Sequence, residues 1–267
     1  MCILVLKRAP MTPPPIILAI GGSDCSAGAG IQADLKMIHR LNGYALSVVT
    51  GIVAESPLEV VSWQETSPQL FAEQLNCLEK AYPISAIKVG LVFSPALAEV
   101  LSEFLQRQQC PIVIDPVGSA SAGADFGGRP LRDALADHLI PFASLITPNL
   151  MEAQSFANHE TSDQAELAAI LSARYQCSVL VKGGHSEDPN LATDSLHTPS
   201  GHHQTFTLPR LDAPDYHGTG CSLSSAIATE LGHNRSLPIA ITNAKAALHR
   251  AILDGHSWNE THALGVL

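Results

Sequence analysis

The segment from His217 to Ser222 combines residue types that can bind a phosphoryl group. It reads His-Gly-Thr-Gly-Cys-Ser and directly precedes a stretch with helical periodicity. Successive backbone N–H groups at a glycine-rich helix N-terminus bind anions, and they can stabilise the charge on a phosphoryl group during its transfer. We therefore predict an anion hole at residues 218–221; a glycine N-cap without a ligand is the alternative. Because Cys221 would lie at the positive end of the helix dipole, we expect a lowered thiol pKa.

Three predicted strands end in polar residues that complement such a site. Lys182 precedes two glycines and suits a contact with phosphate as a point charge, although a solvated lysine in a turn is the alternative. Asp115 lies at a strand end, where carboxylates often face the site of a parallel sheet. Asn149 and Glu152 share one face of a helix start, and their oxygens suit Mg²⁺. The same pair also fits a capping box, which is the alternative.

A second glycine-rich segment, residues 21–30, follows a predicted strand and opens a predicted helix. Glycines in such a loop let the backbone approach a ligand closely. The dinucleotide-binding fingerprint is only half present, and the Gly-Lys-Ser/Thr of a Walker A loop is absent. The segment therefore predicts either a ligand-binding loop of another kind or a flexible turn.

Apolar runs alternate with helical segments along the chain. The predicted strands are continuous apolar runs, as in sheets covered on both faces: Ile16–Ile20, Ala45–Val53, Ala86–Leu91, Ile112–Ile114, Leu145–Ile146 and Ser178–Val181. The predicted helices are Gly30–Leu41, Pro68–Ala81, Pro95–Gln108, Pro130–His138, Asp163–Tyr175, Gly220–Leu231 and Leu237–Leu253. This order predicts one α/β domain with a mainly parallel sheet and right-handed crossovers. An antiparallel hairpin is expected from Leu191–His197 and Gln204–Leu208.

Composition excludes several classes of protein. The chain has 267 residues, of which 46% are hydrophobic, and a net charge of −10. It contains no basic run, so we expect no nucleic-acid partner. Its six cysteines form no CxxC pair, which argues against disulfides and structural zinc and favours a cytoplasmic location. The apolar run within residues 1–15 is too short for a signal peptide or a membrane span. We expect residues 1–15 to form a disordered extension before a domain at residues 16–267.

Taken together, these motifs resemble the ribokinase-like superfamily, and most closely its hydroxymethylpyrimidine/phosphomethylpyrimidine kinase branch in thiamine biosynthesis. The similar stretches are GSDCSAGAGIQADLK (22–36), IDPV (114–117), SLITPNLMEA (144–153), VLVKGGH (179–185) and HGTGCSLSSAIA (217–228). The resemblance implies a three-layer α/β/α fold without a large lid domain, and a homodimer that uses ATP and Mg²⁺ on a small pyrimidine. Sugar kinases of the superfamily typically have aspartate where Cys221 stands.

The resemblance also implies roles for individual residues. The catalytic group consists of Gly218, Thr219, Gly220, Cys221 and Lys182. The residues associated with the metal are Asp115, Asn149 and Glu152. The residues that line the pyrimidine pocket are Gly22, Asp34, Val53, Leu91, Val117 and Glu55.

Two departures from the family pattern concern the substrate. The family usually has Ala-Gln-Asn where this chain has Ala54-Glu55-Ser56. A carboxylate only accepts hydrogen bonds, so Glu55 could pair with a protonated aminopyrimidine or select another ring; an exposed glutamate is the alternative. The stretch after Asp115, residues 118–123, also differs from the family's Lys- or Thr-Ser-Gly sequence. A pyridoxine/pyridoxal kinase and a non-catalytic pyrimidine-binding sensor therefore remain as alternatives.

Overall fold

The computed structural model describes residues 13–118, 126–183 and 189–266. The strands are β1 (Ile16–Asp24), β2 (Tyr44–Ser56), β3 (Glu59–Glu65), β4 (Ala86–Val89), β5 (Ile112–Ile114), β6 (Leu145–Ile146), β7 (Ser178–Val181), β8 (Leu191–His197), β9 (His203–Pro209), β10 (His256–Trp258) and β11 (Thr261–Ala263). The helices are α1 (Gly30–Arg40), α2 (Pro68–Ala81), α3 (Pro95–Leu105), α4 (Gly128–Ala134), α5 (Leu150–Ala157), α6 (Gln164–Tyr175), α7 (Thr219–Gly232) and α8 (Leu237–Leu253).

The central sheet has nine strands in the order β3-β2-β1-β4-β5-β6-β7-β8-β9. The six strands from β2 to β7 in this order run parallel. The remaining strands are antiparallel, with β3 paired to β2 at one edge and β8 and β9 at the other. The predicted mainly parallel sheet with an antiparallel hairpin is thus confirmed.

Both faces of the sheet are covered by helices, which confirms the predicted three-layer arrangement. Alternate residues of β1 belong to separate apolar clusters: Leu18 and Ile20 pack on one face, Ile17 and Ala19 on the other. Helices α2 to α6 supply the first cluster, and α1, α7 and α8 supply the second. A strand that is buried on both faces has apolar residues at every position, which explains why the parallel strands read as unbroken apolar runs.

Helix starts follow local capping rules. Ser67 and Ser94 accept hydrogen bonds from backbone N–H groups in the first turns of α2 and α3, and each precedes a proline at the first helical position. Asp163 caps α6 in the same way, so this helix begins one residue later than its predicted range.

Several elements differ from the predictions. Strand β3 and the hairpin β10–β11 were missed, because their residues are mostly exposed and lack an apolar pattern. Strand β2 continues past Val53 to pair with β3. Helix α4 begins earlier than predicted and passes into a π-helical turn at Leu135–Leu139.

In the part of the chain that the structure describes, no helix has both the length and the hydropathy that crossing a bilayer requires. The predicted N-terminal extension falls mainly on residues 1–12, and the divergent stretch falls mainly on residues 119–125. Both lie outside the described residues, so these expectations remain predictions.

Candidate active site

The polar strand ends meet at the carboxyl-terminal edge of the parallel sheet, beside the N-terminus of α7. Lys182 follows β7 and Asp115 follows β5, and Lys182 Nζ lies 2.7 Å from Asp115 Oδ1. Gly220, in the first turn of α7, is adjacent to both: a Cβ atom on it would lie 3.2 Å from Lys182 Nζ and 3.6 Å from Asp115 Oδ2. The structure therefore brings together the lysine, the aspartate and the glycine-rich helix start that the sequence predicted as one site.

Asp115 is held in place from two further elements. Thr147 donates a hydrogen bond from Oγ1 to Asp115 Oδ1 at 3.3 Å, and Ser224 of α7 donates to Oδ2 at 3.4 Å. Burial lowers the pKa of Lys182, but Asp115 and Glu152 raise it by more, so the net pKa is above its usual value. Lys182 is thus a protonated cation next to the helix N-terminus.

The loop before α7 is shaped by Gly218. This residue has φ +82°, in the left-handed region, and a Cβ atom on it would lie 1.9 Å from the carbonyl oxygen of Gly28. Only glycine fits such a close approach at that φ. The two glycine-rich segments therefore pack directly against each other, and the second segment forms one wall of the site.

The expectation for the Cys221 thiol was wrong. Burial raises the pKa of Cys221 to about 11, and Lys88 lowers it only in part. The helix dipole favours a thiolate, but removal of the group from water disfavours it by more. Cys221 is therefore a neutral thiol at physiological pH.

Asn149 and Glu152 form the capping box that was one of the two predicted roles. Glu152 N–H donates to Asn149 Oδ1 at 2.8 Å, and Asn149 N–H donates to Glu152 Oε2 at 2.8 Å. The pKa of Glu152 is raised to about 7, first by burial and further by Asp115, although Lys182 opposes this shift.

The neighbourhood of Glu152 suits a divalent cation. Glu152 and Asp115 are two carboxylates beside the cation Lys182, and burial is the main cause of the raised Glu152 pKa. Carboxylate oxygens are the ligands that Mg²⁺ prefers. These two residues and Asn149 fit the predicted metal role: the capping box leaves one Glu152 oxygen and the second lone pair of the single Asn149 side-chain oxygen for a metal.

Four of the predicted ring-pocket residues lie near or just beyond the carboxyl-terminal ends of strands β1, β2, β4 and β5. A Cβ atom on Gly22 would lie 3.5 Å from the side chain of Leu91, so these two residues are adjacent. Val53 is buried on β2 and pairs in register with the end of β1. Val117 is half-buried in the loop after β5, two residues beyond Asp115.

Asp34 does not present a free carboxylate to a pocket. It is fully buried on α1, and both of its oxygens lie 2.8 Å from Lys88 Nζ. Ser225 of α7 donates a further hydrogen bond to Asp34 Oδ1 at 2.5 Å. Lys88 was not predicted, although a lysine inside an otherwise apolar strand is a signal that could have identified it.

Glu55 lies in a small cluster of titratable side chains with Asp24 and His217. A register shift between Ala54 and Glu55 interrupts the β2–β3 pairing, and such bulges often redirect side chains near functional sites. His217 Nε2 lies 3.9 Å from Glu55 Oε2 and 3.5 Å from Asp24 Oδ2. The Glu55 side chain is 8% exposed, which excludes the alternative of an exposed glutamate.

The three groups shift one another's pKa values. Burial and the nearby Asp24 raise the pKa of Glu55, whereas His217 lowers it. Burial also raises the pKa of Asp24, but the interaction with the nearby His217 and hydrogen bonds from Ala29 and Ser26 bring it to about 2. The pKa of His217 is lowered by burial but raised by more by Asp24 and Glu55. The cluster as a whole is anionic and favours a cation.

Comparison with known proteins identifies close relatives. The family model described as phosphomethylpyrimidine kinase matches residues 24–265. A hydroxymethylpyrimidine/phosphomethylpyrimidine kinase of Salmonella typhimurium is 38% identical over 254 residues, covering 93% of this chain and 94% of that protein. A thiamine biosynthesis bifunctional protein of Geobacter sulfurreducens is 36% identical over 260 residues. That alignment covers 94% of this chain, which spans only 51% of the Geobacter protein.

A solved structure has the same fold. It is the pyridoxal kinase from Staphylococcus aureus in complex with AMP-PCP and pyridoxal, with a TM-score of 0.85 and 26% sequence identity. The match covers 95% of this chain and 93% of that chain.

Proposed function

Because this chain belongs to the phosphomethylpyrimidine kinase family and has its ribokinase-like fold, we propose that it phosphorylates a hydroxymethylpyrimidine, its monophosphate, or both. The phosphoryl donor in this proposal is ATP and the metal is Mg²⁺. The proposed reaction belongs to thiamine biosynthesis, as the name of the Geobacter sulfurreducens relative indicates.

The observation that carries the proposal is the contact of Lys182 and Asp115 with the start of α7. Lys182 Nζ is 2.7 Å from Asp115 and next to Gly220, so a cation lies directly beside the first turn of the helix. Phosphoryl transfer requires little covalent chemistry from a protein, and positioning and charge stabilisation supply most of the catalysis. A site with these two features and two nearby carboxylates matches that requirement.

Each group has a role in this mechanism. The N–H groups of residues 218–221 and the Lys182 ammonium stabilise the oxygens of the γ-phosphoryl group. The hydroxyl oxygen of the ring attacks the γ-phosphorus, the bond to ADP breaks, and the hydroxyl proton leaves to solvent. Asp115, Asn149 and Glu152 would hold Mg²⁺, directly or through water, and the ion would neutralise triphosphate charge. Cys221 acts as a neutral positioning group beside the reacting hydroxyl.

The surroundings of Glu55 favour a substrate ring that carries hydrogen-bond donors on one edge. Its carboxylate is nearly buried beside Asp24 and His217, in surroundings that favour a cation. A protonated aminopyrimidine presents two donors on one edge, so a charge-assisted bidentate contact with Glu55 is the proposed mode of binding. The second candidate, pyridoxine or pyridoxal, is favoured by the shared fold with the Staphylococcus aureus enzyme and by the absence of the family glutamine at Glu55.

Product analysis tests this proposal. The purified protein is incubated with ATP and Mg²⁺ and with either hydroxymethylpyrimidine, its monophosphate or pyridoxine, and the products are identified by mass spectrometry. We expect ring phosphates from the pyrimidines. Phosphorylation of pyridoxine alone would keep the kinase assignment and overturn the substrate. Tight ring binding without any phosphorylated product would instead support a binding protein.

Two properties of the whole chain extend the proposal. Exposed apolar side chains on β2 and β3, including Ile52, Val61 and Trp63, support a homodimer through this edge. Sedimentation velocity of the wild type and of Val61→Ser tests the dimer: we expect the variant to shift toward monomer.

The five described cysteines are free thiols, which supports a reducing, cytoplasmic location.

A further inference from the structure

The Asp24–Glu55–His217 cluster contains an imidazole nitrogen without a hydrogen-bond partner. His217 Nε2 is buried, the His217 side chain is 9% exposed, and this atom makes no hydrogen bond to any described residue. It points at two carboxylates, with separations of 3.5 Å to Asp24 Oδ2 and 3.9 Å to Glu55 Oε2. Buried polar atoms normally have partners, so this one indicates that a ligand is missing.

The cluster has the geometry of a metal site. One ligand atom from each of the three residues lies within 4.8 Å of the other two. Two ligands at about 2.1 Å from the same tetrahedral ion are separated by about 3.4 Å, which is close to the His217–Asp24 distance. The His217–Glu55 separation of 3.9 Å exceeds this value by only about half an ångström.

The surroundings favour a cation and orient its ligands. Within the described part of the chain, neither Asp24 nor Glu55 forms an ion pair with a lysine or arginine. Backbone N–H groups of Ser26 and Ala29 both donate to Asp24 at 2.7 Å and fix its carboxylate next to His217. Such outer hydrogen bonds are typical of metal-binding residues.

We propose that Asp24, Glu55 and His217 form a second metal site, for a divalent transition-metal ion such as Zn²⁺, that overlaps the ring-binding position. One imidazole and two carboxylates suit Zn²⁺ or Co²⁺ better than Mg²⁺, which prefers oxygen alone. Because Glu55 is also the proposed reader of the ring, the metal ion and the ring exclude each other. The overlap rests on the proposed function, whereas the metal site itself does not.

The metal site is tested with Co²⁺ on EDTA-treated, dialysed protein without ATP, Mg²⁺ or ring. We expect one Co²⁺ per chain with the strong visible absorption of a tetrahedral site, in addition to any Co²⁺ bound by the oxygen ligands near Glu152, and displacement of the absorbing ion by Zn²⁺. His217→Asn and Glu55→Gln should weaken binding by more than the roughly 10–100-fold cost of an outer-shell change. Glu166→Gln, which alters an exposed glutamate paired with His159, is the matched control and should leave Co²⁺ affinity unchanged. Circular dichroism checks that each variant is folded.

Absence of stoichiometric binding, or equal affinity in the wild type and in folded His217→Asn and Glu55→Gln, would overturn the site. The overlap is tested by titrating hydroxymethylpyrimidine into the Co²⁺-loaded protein, where we expect the visible absorption to fall as the ring binds. Ring binding, measured calorimetrically, with the absorption intact would overturn the overlap. Binding of Co²⁺ by a protein that phosphorylates no pyrimidine would refute the proposed function but leave the metal site standing.

Discussion

Cys221 is the residue at which local sequence and tertiary structure act in opposite directions. A cysteine at a helix N-terminus is expected to be acidic, but burial raises the pKa of this thiol to about 11. A neutral thiol is a poor general base, so Cys221→Ala should lower kcat by less than about tenfold. Loss of a general base typically costs about 10²–10⁴-fold. Steady-state kinetics of the folded variant measures this, and a loss in that larger range would restore a base role.

Several residues of the candidate site could be predicted from the sequence, and others could not. Lys182, Asp115 and the residues 218–221 were recognisable because each follows a strand or precedes a helix, and parallel strands bring such ends together. The pairing of Asp34 with Lys88 was not predictable, because it joins side chains 54 positions apart on a helix and a strand. The proximity of His217 to Asp24 and Glu55 was not predictable for the same reason, because these residues are far apart in the sequence.

At the scale of elements, the packing of the two glycine-rich loops depends on Gly218. Gly218→Ala would place Cβ 1.9 Å from Gly28 O, so the α7 N-terminus must move away from the β1–α1 loop. We expect kcat to fall by at least about 10²-fold, the typical cost of losing one transition-state hydrogen-bond donor. The measurement is kcat together with the melting temperature.

Gly201 provides a matched control for this substitution. It has the same φ of +82°, but a Cβ atom on it would meet nothing within 4 Å. Gly201→Ala therefore introduces the backbone strain alone, with a cost of about 1 kcal/mol in stability and unchanged kcat. Equal kcat in Gly218→Ala and Gly201→Ala would contradict the proposed role of the loop contact.

The buried carboxyl group of Glu152 makes stability depend on pH. The pKa of Glu152 is about 7 in the folded protein, above the usual glutamate value of 4.5. Between these values the folded state holds a proton that the unfolded chain has lost, so Glu152 makes stability fall as pH rises through this window. In metal-free protein, Glu152→Gln should therefore reduce the drop in melting temperature between pH 5 and pH 8.

Glu166 offers the control, because it lies in the first turn of α6 but its side chain is exposed. Glu166→Gln should leave the pH dependence of the melting temperature close to that of the wild type. A Glu152→Gln curve that parallels the wild-type curve would show that Glu152 is not the group responsible.

Across the whole molecule, the buried Lys88–Asp34 ion pair joins three elements. Lys88 lies on β4, Asp34 on α1, and Ser225 of α7 donates to Asp34. Lys88→Met leaves a buried carboxylate without its cation and should cost about 3–5 kcal/mol of unfolding free energy. The double variant Lys88→Met/Asp34→Asn should recover part of this loss, because the uncompensated charge is removed. Denaturant unfolding measures both values.

An exposed ion pair serves as the comparison. Arg107, whose side chain is 48% exposed, pairs with Glu79 at 2.9 Å, and Arg107→Met should cost less than about 1 kcal/mol. A loss for Lys88→Met as small as this would show that Asp34 does not depend on the lysine.

The fold as a whole was largely predictable, because unbroken apolar runs and helical periods alternate from β1 to α6. Strands β5, β6 and β7 begin and end where the sequence placed them. The sheet edges were less predictable: β3 is almost entirely exposed, so its pairing with β2 rather than an apolar pattern defines it. The order of the strands likewise depends on contacts between distant segments.

The most direct test of the proposed function is the ratio of kcat/KM for hydroxymethylpyrimidine to that for pyridoxine, measured with ATP and Mg²⁺. A site that pairs Glu55 with the donor edge of a pyrimidine should favour the pyrimidine by at least about tenfold. Lys182→Met, which removes the cation from the phosphoryl site, should abolish most turnover of both rings and so excludes a contaminating kinase. A kcat/KM ratio of this size in favour of the pyrimidine would agree with the proposed function. A ratio below one, with turnover that depends on Lys182, would contradict it.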